Sequence, residues 1–342
     1  TSRAGSTTRR SKARGVPSRS ADEGIFIGSL RTAGMLSTIG IHDSVSAVFP
    51  PEALRDALDD IGPDVRIVST DGIDGCDALV TFTCEDAFLE ADLGWIHSIQ
   101  AGVDRFPLGA VESAGIALTN STGIHGDSVG ETVAGYMLSF ARQLHHYRDG
   151  QNEREWDRRE WDVPYTLVGS SVCVVGLGTL GRGVAMRADA LGMEVVGVKR
   201  TPTPVDHVET VYPSGELETA IADARFVVLT VPLTDRTDGL IGAAELSAMR
   251  SDAVLINVAR GAVVDEDALV DALETDAIDG AALDVFETEP LPAGSPLWGM
   301  ENVIVTPHAA AATEAYYRRV ATLVKENARR RIDGESLANR VV

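Results

Sequence analysis

The sequence predicts an α/β protein built from two doubly wound parallel-sheet domains. From Ile25 onward, short apolar runs alternate with amphipathic helical segments, and the turns between them are short. Residues 172–200 are the clearest case, because a buried β-branched strand, a glycine-rich turn, a helix and a second strand follow one another directly. Such an alternation places helices on both faces of a parallel sheet.

The predicted elements cover both halves of the chain. In the polar connection 151–162, Trp156 and Trp161 are expected to anchor against a domain face. The predicted helices are Glu52–Asp60, which Pro51 opens at a first-turn position, Asp127–Tyr147 and Thr313–Ile332. The predicted strands are Gly24–Ser29, Ser46–Phe49, Val65–Ser69, Ala78–Thr81, Trp95–Ile99, Phe226–Thr230, Val254–Val258, Gly280–Leu283 and Val303–Thr306.

A glycine-rich turn joins the strand and the helix of the 172–200 unit. Gly176, Gly178 and Gly181 form a Gly-x-Gly-x-x-Gly pattern, and its strand–turn–helix context is the one that a dinucleotide site requires. The first glycine permits the tight turn, the second lets the backbone approach a pyrophosphate, and the third lets helix and strand pack closely. The diphosphate would lie on free N–H groups at the helix N-terminus, beside Thr179 and Leu180. The alternative is a chance glycine turn in another α/β protein.

The second strand of the unit ends in Lys199, Arg200 and Thr201. NAD sites place an acidic residue there to bind the adenosine ribose. Two cations and a hydroxyl suit the 2′-phosphate of NADP(H), because a guanidinium can bind phosphate through two hydrogen bonds. The sequence therefore favours NADP(H), and NAD(H) beside an exposed basic pair is the alternative.

Acidic residues dominate the composition. The 342 residues include 51 acidic and 30 basic side chains, for a formal net charge of −21, and the only lysines are Lys12, Lys199 and Lys325. This balance argues against nucleic-acid binding. It resembles proteins of organisms with high internal salt, where screening relieves carboxylate repulsion. Residues 1–22 are instead basic and almost free of apolar side chains, which predicts a disordered tail.

No membrane span, secretory signal or metal site is predicted. No apolar run approaches the roughly 18 residues that a spanning helix needs. Cys76, Cys84 and Cys173 lack the spacing of metal ligands, and an odd, low cysteine count suits a reducing cytoplasm. Cys173 lies in a predicted strand and is expected in the core.

Several polar residues follow the predicted strands of the second half. Hydride transfer between nicotinamide and a 2-oxo acid needs a cation for the carboxylate and a proton donor for the carbonyl oxygen. Arg260 can supply the cation, although a salt-bridged loop arginine is the alternative. Asp284 is expected to face the cleft near the nicotinamide. His308 is the candidate proton donor, with Glu287 and Glu289 as equal candidates for its carboxylate partner.

These segments, in this order, resemble the D-isomer-specific 2-hydroxyacid dehydrogenase family. The shared segments are Gly-x-Gly-x-x-Gly, Asn-x-x-Arg-Gly, Asp-Val-Phe-Glu-x-Glu-Pro and Pro-His, and the match covers nearly all of residues 25–335. The resemblance implies that Arg260 binds the substrate carboxylate and carbonyl, and that Glu289 pairs with His308 as the acid–base group. It further implies that Asp284 hydrogen-bonds the nicotinamide amide.

The resemblance also implies further contacts and an assembly. Gly102 and Val103 would offer backbone N–H groups to the substrate carboxylate, Thr83 would lie in another substrate-side loop, and Pro232 would line the cofactor site. The cofactor domain, residues 121–306, would be inserted into a substrate domain made of residues 23–120 and 307–342. The long helix would cross to a second subunit, which implies a homodimer. Lys199 departs from the family pattern at the acidic ribose-binding position.

Two other functions stay open at this point. A 3-phosphoglycerate dehydrogenase has the same organisation, but no obvious basic cluster for a substrate phosphate is present. A corepressor or scaffold that senses NADP(H) would use the same fold without turnover, and the set of Arg260, Glu289 and His308 argues against it. Glyoxylate, hydroxypyruvate, pyruvate and branched 2-oxo acids are all compatible with the sequence.

Overall fold

The computed structural model describes residues 36–342, in which two parallel sheets are each covered by helices. The basic tail 1–22 and the predicted strand Gly24–Ser29 lie outside the described residues. The first sheet has the strand order β2-β1-β3-β4-β5, which is the doubly wound order of flavodoxin-like domains. Its strands are β1 (Thr38–His42), β2 (Asp64–Val68), β3 (Ala78–Thr81), β4 (Trp95–Ser98) and β5 (Ala117–Thr119).

The second sheet has seven parallel strands in the order β12-β11-β10-β9-β6-β7-β8. Its strands are β6 (Ser171–Val175), β7 (Glu194–Lys199), β8 (Thr210–Pro213), β9 (Phe226–Leu229), β10 (Val254–Asn257), β11 (Gly280–Leu283) and β12 (Val303–Val305). The strand order reverses at β6, which pairs with β7 on one side and β9 on the other. Ligands of open α/β sheets bind beyond the carboxyl ends of the strands at such a point. The predicted fold class is confirmed.

The central strands of this sheet are buried along their whole length, and every residue in them except Asn257 is apolar. Every residue of β9, β10 and β11 is buried. Strands that helices cover on both faces need no polar side, which is why their sequences are nearly continuous apolar runs. The free Cys173 thiol in β6 is also fully buried, and burial raises its pKa to about 12, so it belongs to the core as predicted.

Ten helices lie between and around the strands within the described residues. They are α1 (Pro51–Ala57), α2 (Asp86–Glu90), α3 (Leu108–Ser113), α4 (Gly126–Ala141), α5 (Leu144–Glu153), α6 (Thr179–Ala190), α7 (Leu217–Ile221), α8 (Ala243–Ala248), α9 (Glu266–Glu274) and α10 (Tyr316–Ile332). The last helix returns to the first sheet, where Val320 and Val324 pack in one core cluster with Ile39 and Ile41. None of the helices in residues 36–342 is both long and apolar enough to cross a membrane.

The predicted strand Ser46–Phe49 is wrong. The strand lies earlier, at β1, and a 3-10 helix covers Asp43–Ala47. The Ser44 side chain stabilises this 3-10 helix. Its hydroxyl hydrogen-bonds the Thr81 hydroxyl and accepts a hydrogen bond from the Phe82 N–H, and such local side-chain bonds compete with strand formation. The short strands β5 and β8 are absent from the sequence prediction.

The predicted helix Asp127–Tyr147 is divided in two. Gln143 adopts a left-handed backbone (φ 57°) between α4 and α5, and its side-chain amide donates to the Phe140 carbonyl at the end of α4. Trp156 and Trp161 follow α5, and their side chains are 104% and 86% exposed. The sequence predicts that both side chains anchor against a domain face. Within this chain that prediction is wrong, because neither tryptophan is buried.

Helices α4 and α6 touch backbone to backbone. A Cβ added to Gly183 would lie 1.9 Å from the carbonyl oxygen of Gly126, and one added to Gly130 would lie 2.5 Å from that of Gly183. The guanidinium of Arg187 on α6 also reaches Asp127 and Glu131 on α4. This crossing fixes the start of α6, where the glycine-rich turn ends, against the start of α4.

We expect Gly183→Ala to lower the stability of the fold by about 1–3 kcal/mol, because the new methyl group meets backbone that cannot move aside. Gly135→Ala is the matched control on α4: its Cβ would meet nothing within 4 Å. It should raise stability by about 0.5–1 kcal/mol through the better helix propensity of alanine. Thermal unfolding followed by circular dichroism measures both, and equal midpoints for the two variants would contradict the close crossing.

Candidate active site

The glycine-rich turn follows β6 and ends at the first residue of α6. Gly176 has a left-handed backbone (φ 96°), and a Cβ on Gly181 would lie 1.9 Å from the Gly176 carbonyl oxygen, so both positions require glycine. A Cβ on Gly178 would meet nothing within 4 Å, which leaves open space above the turn. The Thr230 hydroxyl, at the end of β9, donates to the Gly176 carbonyl at 2.5 Å and holds the turn in place.

This turn has the features that a dinucleotide diphosphate needs. The N-terminal N–H groups of α6 point away from the helix, with the half-buried Thr179 and Leu180 in its first turn. Pro232 lies exposed beyond β9, and its carbonyl accepts from the Thr237 hydroxyl. The residues present therefore fit the cofactor that the sequence predicts.

Lys199, Arg200 and Thr201 lie together at the carboxyl end of β7. The Lys199 ammonium donates to the Thr203 hydroxyl at 3.0 Å, and Arg200 and Thr201 are exposed. In the described part of the chain, no carboxylate lies within ion-pair distance of either cation. Two cations without acidic partners are suited to bind an external anion.

His308 and Glu289 form a hydrogen-bonded pair. The His308 Nδ1 atom lies 2.7 Å from Glu289 Oε2, and both side chains are partly exposed. A carboxylate only accepts hydrogen bonds, so Nδ1 carries the proton of this contact and Nε2 is the nitrogen left for a ligand. The Phe286 N–H donates to the other oxygen of Glu289, which orients the carboxylate in turn.

The structure distinguishes the two glutamates that the sequence left as equals. Glu287 exchanges two hydrogen bonds with Glu266 at the start of α9: each backbone N–H donates to the other residue's carboxylate. Its side chain is thereby directed to that helix, and Glu289 is the partner of His308.

The sequence predicts that Asp284 faces an open cleft, but the structure buries it. Its side chain is 1% exposed. The carboxylate accepts hydrogen bonds from the Thr306 hydroxyl and from the N–H groups of Ala309 and Ala310. Its backbone carbonyl accepts from the N–H of His308 at 2.8 Å. Asp284 therefore holds the loop that carries the histidine, and a contact with nicotinamide stays a prediction.

The backbone of His308 lies in the left-handed region, with φ 51°. Few residues other than glycine adopt this conformation, and such strain is often found at functional positions. The contacts with Asp284 hold the strained residue in place.

Arg260 follows β10 and reaches across to a loop of the first sheet. Its Nε and Nη2 atoms donate to Asp104 Oδ1 at 3.3 and 3.2 Å, and Nη1 donates to the Ala259 carbonyl. A guanidinium has five N–H donors, so one remains on each terminal nitrogen for a carboxylate ligand. Partial burial favours a raised Asp104 pKa, but Arg260, a backbone hydrogen bond and Arg105 hold that pKa below its usual value.

The loop that contains Gly102 and Val103 lies directly against Arg260. A Cβ on Gly102 would be 1.8 Å from Arg260 Nη2, so only glycine leaves room for the guanidinium. The N–H groups of Gly102 and Val103 donate to no acceptor within residues 36–342. The Tyr316 hydroxyl donates to the Ile99 carbonyl and anchors the start of the loop. These open N–H groups match the predicted carboxylate contacts, whose role stays a prediction.

Thr83 lies on the neighbouring loop after β3. Its hydroxyl is buried and has no hydrogen-bond partner among the described residues, while its N–H donates to the Thr81 hydroxyl. It does not line the cavity that contains the histidine. A substrate contact of Thr83 therefore has no direct support from the geometry.

A cavity of about 240 Å³ brings Arg260, Glu289 and His308 together. Sequence reasoning missed two further charged residues in its wall, Asp104 and Arg105. Their only sequence signal is a charged pair immediately after the Gln-Ala-Gly-Val segment. The cavity can hold a small anion between a guanidinium and an imidazole.

Comparison with known proteins identifies the family. The model of the NAD-binding domain of the D-isomer specific 2-hydroxyacid dehydrogenases matches residues 134–310, which is more than half of the chain. The chain belongs to the D-isomer specific 2-hydroxyacid dehydrogenase family. As a member of this dehydrogenase family, it is an oxidoreductase with a nicotinamide-dinucleotide-binding domain.

Similar dehydrogenases include curated proteins and a solved structure. The chain is 35% identical to a glyoxylate/hydroxypyruvate reductase B of Yersinia pestis, over 69% of this chain and 74% of that one. It is 37% identical to a D-3-phosphoglycerate dehydrogenase of Methanocaldococcus jannaschii, over 70% of this chain but only 46% of that longer protein. A D-isomer specific 2-hydroxyacid dehydrogenase from Xanthobacter autotrophicus, solved with NADPH and MES, superimposes with a TM-score of 0.77 at 33% identity, covering 90% of this chain and 98% of that one.

Proposed function

We propose that this protein is an NADPH-preferring reductase of small 2-oxo acids that works reversibly as a D-2-hydroxyacid dehydrogenase. One observation carries the proposal: a guanidinium and a carboxylate-paired imidazole line the same small cavity. A 2-oxo acid has a carboxylate for the first group and an adjacent carbonyl oxygen for the second. Relatives named glyoxylate/hydroxypyruvate reductase support the same reaction class.

Substrate binding is assigned to Arg260 and the 102–103 loop. The two free donors of Arg260 face the substrate carboxylate, and the N–H groups of Gly102 and Val103 add to them. Asp104 keeps the guanidinium in this orientation through its Nε side. Several fixed donors hold C2 of the substrate at a defined position, which raises the effective concentration of the reacting groups.

Proton transfer is assigned to His308. A reduced nicotinamide cofactor, when bound, would supply the hydride for C2 of the substrate. His308 Nε2 donates the proton to the carbonyl oxygen. Glu289 holds Nδ1 and balances the charge of the imidazolium before the proton leaves. In the reverse direction the neutral imidazole accepts the proton of the 2-hydroxy acid.

The preference for NADPH is assigned to Lys199, Arg200 and Thr201. Their cations have no acidic partner among the described residues, and a 2′-phosphate would supply one. The similar Xanthobacter dehydrogenase was solved with NADPH, which supports this assignment. NAD(H) remains a usable second cofactor in the proposal.

A homodimer is the proposed assembly. The segment from α4 to the start of β6 exposes apolar side chains of a kind that monomers rarely leave in water, including Leu144, Trp156 and Trp161. A second copy of the chain would cover them, as the family resemblance implies.

The proposed setting is a reducing cytoplasm with high salt. Cys76, Cys84 and Cys173 are all free thiols, which fits the reducing compartment. The net charge of −21 fits strong ionic screening, so activity is expected in molar potassium chloride.

The proposed reaction predicts NADPH oxidation with at least one of glyoxylate, hydroxypyruvate, pyruvate and branched 2-oxo acids. His308→Ala should lower kcat by about 10²–10⁴-fold through loss of the proton donor, with NADPH affinity nearly unchanged.

Glu289→Gln should also lower kcat, and Glu287→Gln is its matched control with near-normal rates. Cofactor binding without turnover of any 2-oxo acid would instead favour a scaffold, and a fully active His308→Ala would exclude the proposed mechanism.

The phosphate site predicts a cofactor switch. Replacing Lys199 and Arg200 together by alanine should raise the KM for NADPH by about 10- to 100-fold, through loss of charge-assisted hydrogen bonds. The KM for NADH should stay within about twofold, so NADH acts as the internal control. Steady-state rates with both cofactors measure the ratio. A wild-type enzyme that favours NADH would refute the assignment and leave the reaction class intact.

The proposed assembly predicts a particle of twice the 36.3 kDa chain mass in light scattering. Replacing Trp156 and Trp161 by aspartate should produce monomers, because two charges would have to be buried at the interface. Ile332→Asp is the control, since that apolar side chain is also exposed but lies at the end of α10, which packs on the first sheet. A monomeric wild-type protein would rule the homodimer out.

A further inference from the structure

The cavity beside His308 contains one cation that the proposed mechanism does not use. Arg105 lines it together with Arg260 and His308. Arg260 is paired with Asp104, and His308 is paired with Glu289. Within residues 36–342, Arg105 has no carboxylate at ion-pair distance.

The guanidinium of Arg105 is held by stacking. Its Cζ atom lies 4.7 Å from the centre of the ring of Phe82, the first residue after β3. Stacking through the face of a guanidinium leaves the N–H groups at its edge free to bind an anion in the plane. Phe82 therefore fixes the direction of Arg105 without using its donors.

Among the charged side chains of the cavity wall, Arg105 is the cation that no carboxylate pairs with in the described residues. Asp104 lies against Arg260, Glu289 lies against His308, and the Glu287 carboxylate accepts a hydrogen bond from the Glu266 N–H, so none of the three carboxylates in the wall pairs with Arg105. Arg105 is the residue next to Asp104, so its charge lies one position along the chain from the carboxylate clamp. Because both arginines line the same cavity, a ligand held by Arg260 at one end has this second cation within the same small space.

We propose that Arg105 makes the enzyme prefer 2-oxo acids that carry a second anionic group at the end of the side chain. The inference rests on the proposed reduction of 2-oxo acids and adds the substrate class. The shared chemistry is a terminal carboxylate or phosphate, either of which a guanidinium binds through two parallel hydrogen bonds. An uncharged terminus would leave these donors without a partner in a cavity of limited volume.

The test compares substrates that differ only in the terminal charge. The first pair is 2-oxoglutarate and 2-oxopentanoate, which tests a carboxylate. The second pair is 3-phosphohydroxypyruvate and hydroxypyruvate, which tests a phosphate. We expect wild-type kcat/KM to favour the anionic member of at least one pair, and that pair identifies the terminal group.

The variants separate Arg105 from a general effect of charge. Arg105→Met keeps the length of the side chain and should lower kcat/KM for the favoured anionic substrate by about 10- to 100-fold, with the uncharged member of the pair within about twofold. Arg105→Lys should retain part of the preference. Arg318→Met is the matched control, because Arg318 is also exposed and stacks on an aromatic ring, Tyr317, on α10.

Calorimetric binding of the same four acids in the presence of NADP⁺ keeps the inference testable without turnover. NADP⁺ cannot reduce them, so the affinities report recognition alone. If the uncharged acids are reduced and bound as well as the anionic ones, or Arg105→Met weakens both members of a pair equally, the inference about Arg105 is wrong and the proposed function stands. If no acid is reduced, the proposed function fails, and the Arg105-dependence of binding still decides the recognition.

Discussion

The hydrogen bonding of the buried Asp284 carboxylate is the interaction on which the geometry of the candidate active site depends. A carboxylate with 1% exposure is stable only when hydrogen-bond donors replace its lost water, and here a hydroxyl and two backbone N–H groups do so. All three donors belong to the segment 306–310. The requirement to satisfy one buried charge therefore determines the path of the loop that carries His308, including its left-handed backbone.

The same requirement extends the network outward from β11. The Thr306 hydroxyl that donates to Asp284 also contacts the Tyr136 hydroxyl at 2.5 Å, which joins the histidine loop to α4. Burial raises the Tyr136 pKa to about 12, so this phenol stays neutral and keeps its proton for hydrogen bonding. Helix α4 in turn contacts α6 through Gly126, Gly130 and Gly183, and α6 begins at the glycine-rich turn. The two ends of the proposed hydride transfer are thus supported by one connected set of buried groups.

The sequence predicted what depends on local pattern and missed what depends on tertiary contact. The four-residue apolar strands and the glycine turn were readable because a two-sided parallel sheet and a tight turn each demand particular residue types. Gln143 interrupts a helix whose apolar period continues past it, so no periodicity could locate the break. The choice of Glu289 over Glu287 is decided by α9, whose position the sequence does not reveal. Asp104 and Arg105 can be recognised as residues of the candidate site only from their position beside Arg260, which lies about 155 positions away in the chain.

The crossings of the chain between the two sheets have a mechanical consequence. Only the segments 120–125 and 306–315 pass from one set of layers to the other in residues 36–342, and His308 lies in the second of them. Because Asp284 ties this crossing to the second sheet, His308 and Arg260 would move with that sheet, whereas the 99–105 loop would move with the first. Any hinge motion between the two sheets would therefore change the distance between His308 and the 99–105 loop, so an open cleft would separate the groups to which the proposed function assigns proton transfer and substrate binding.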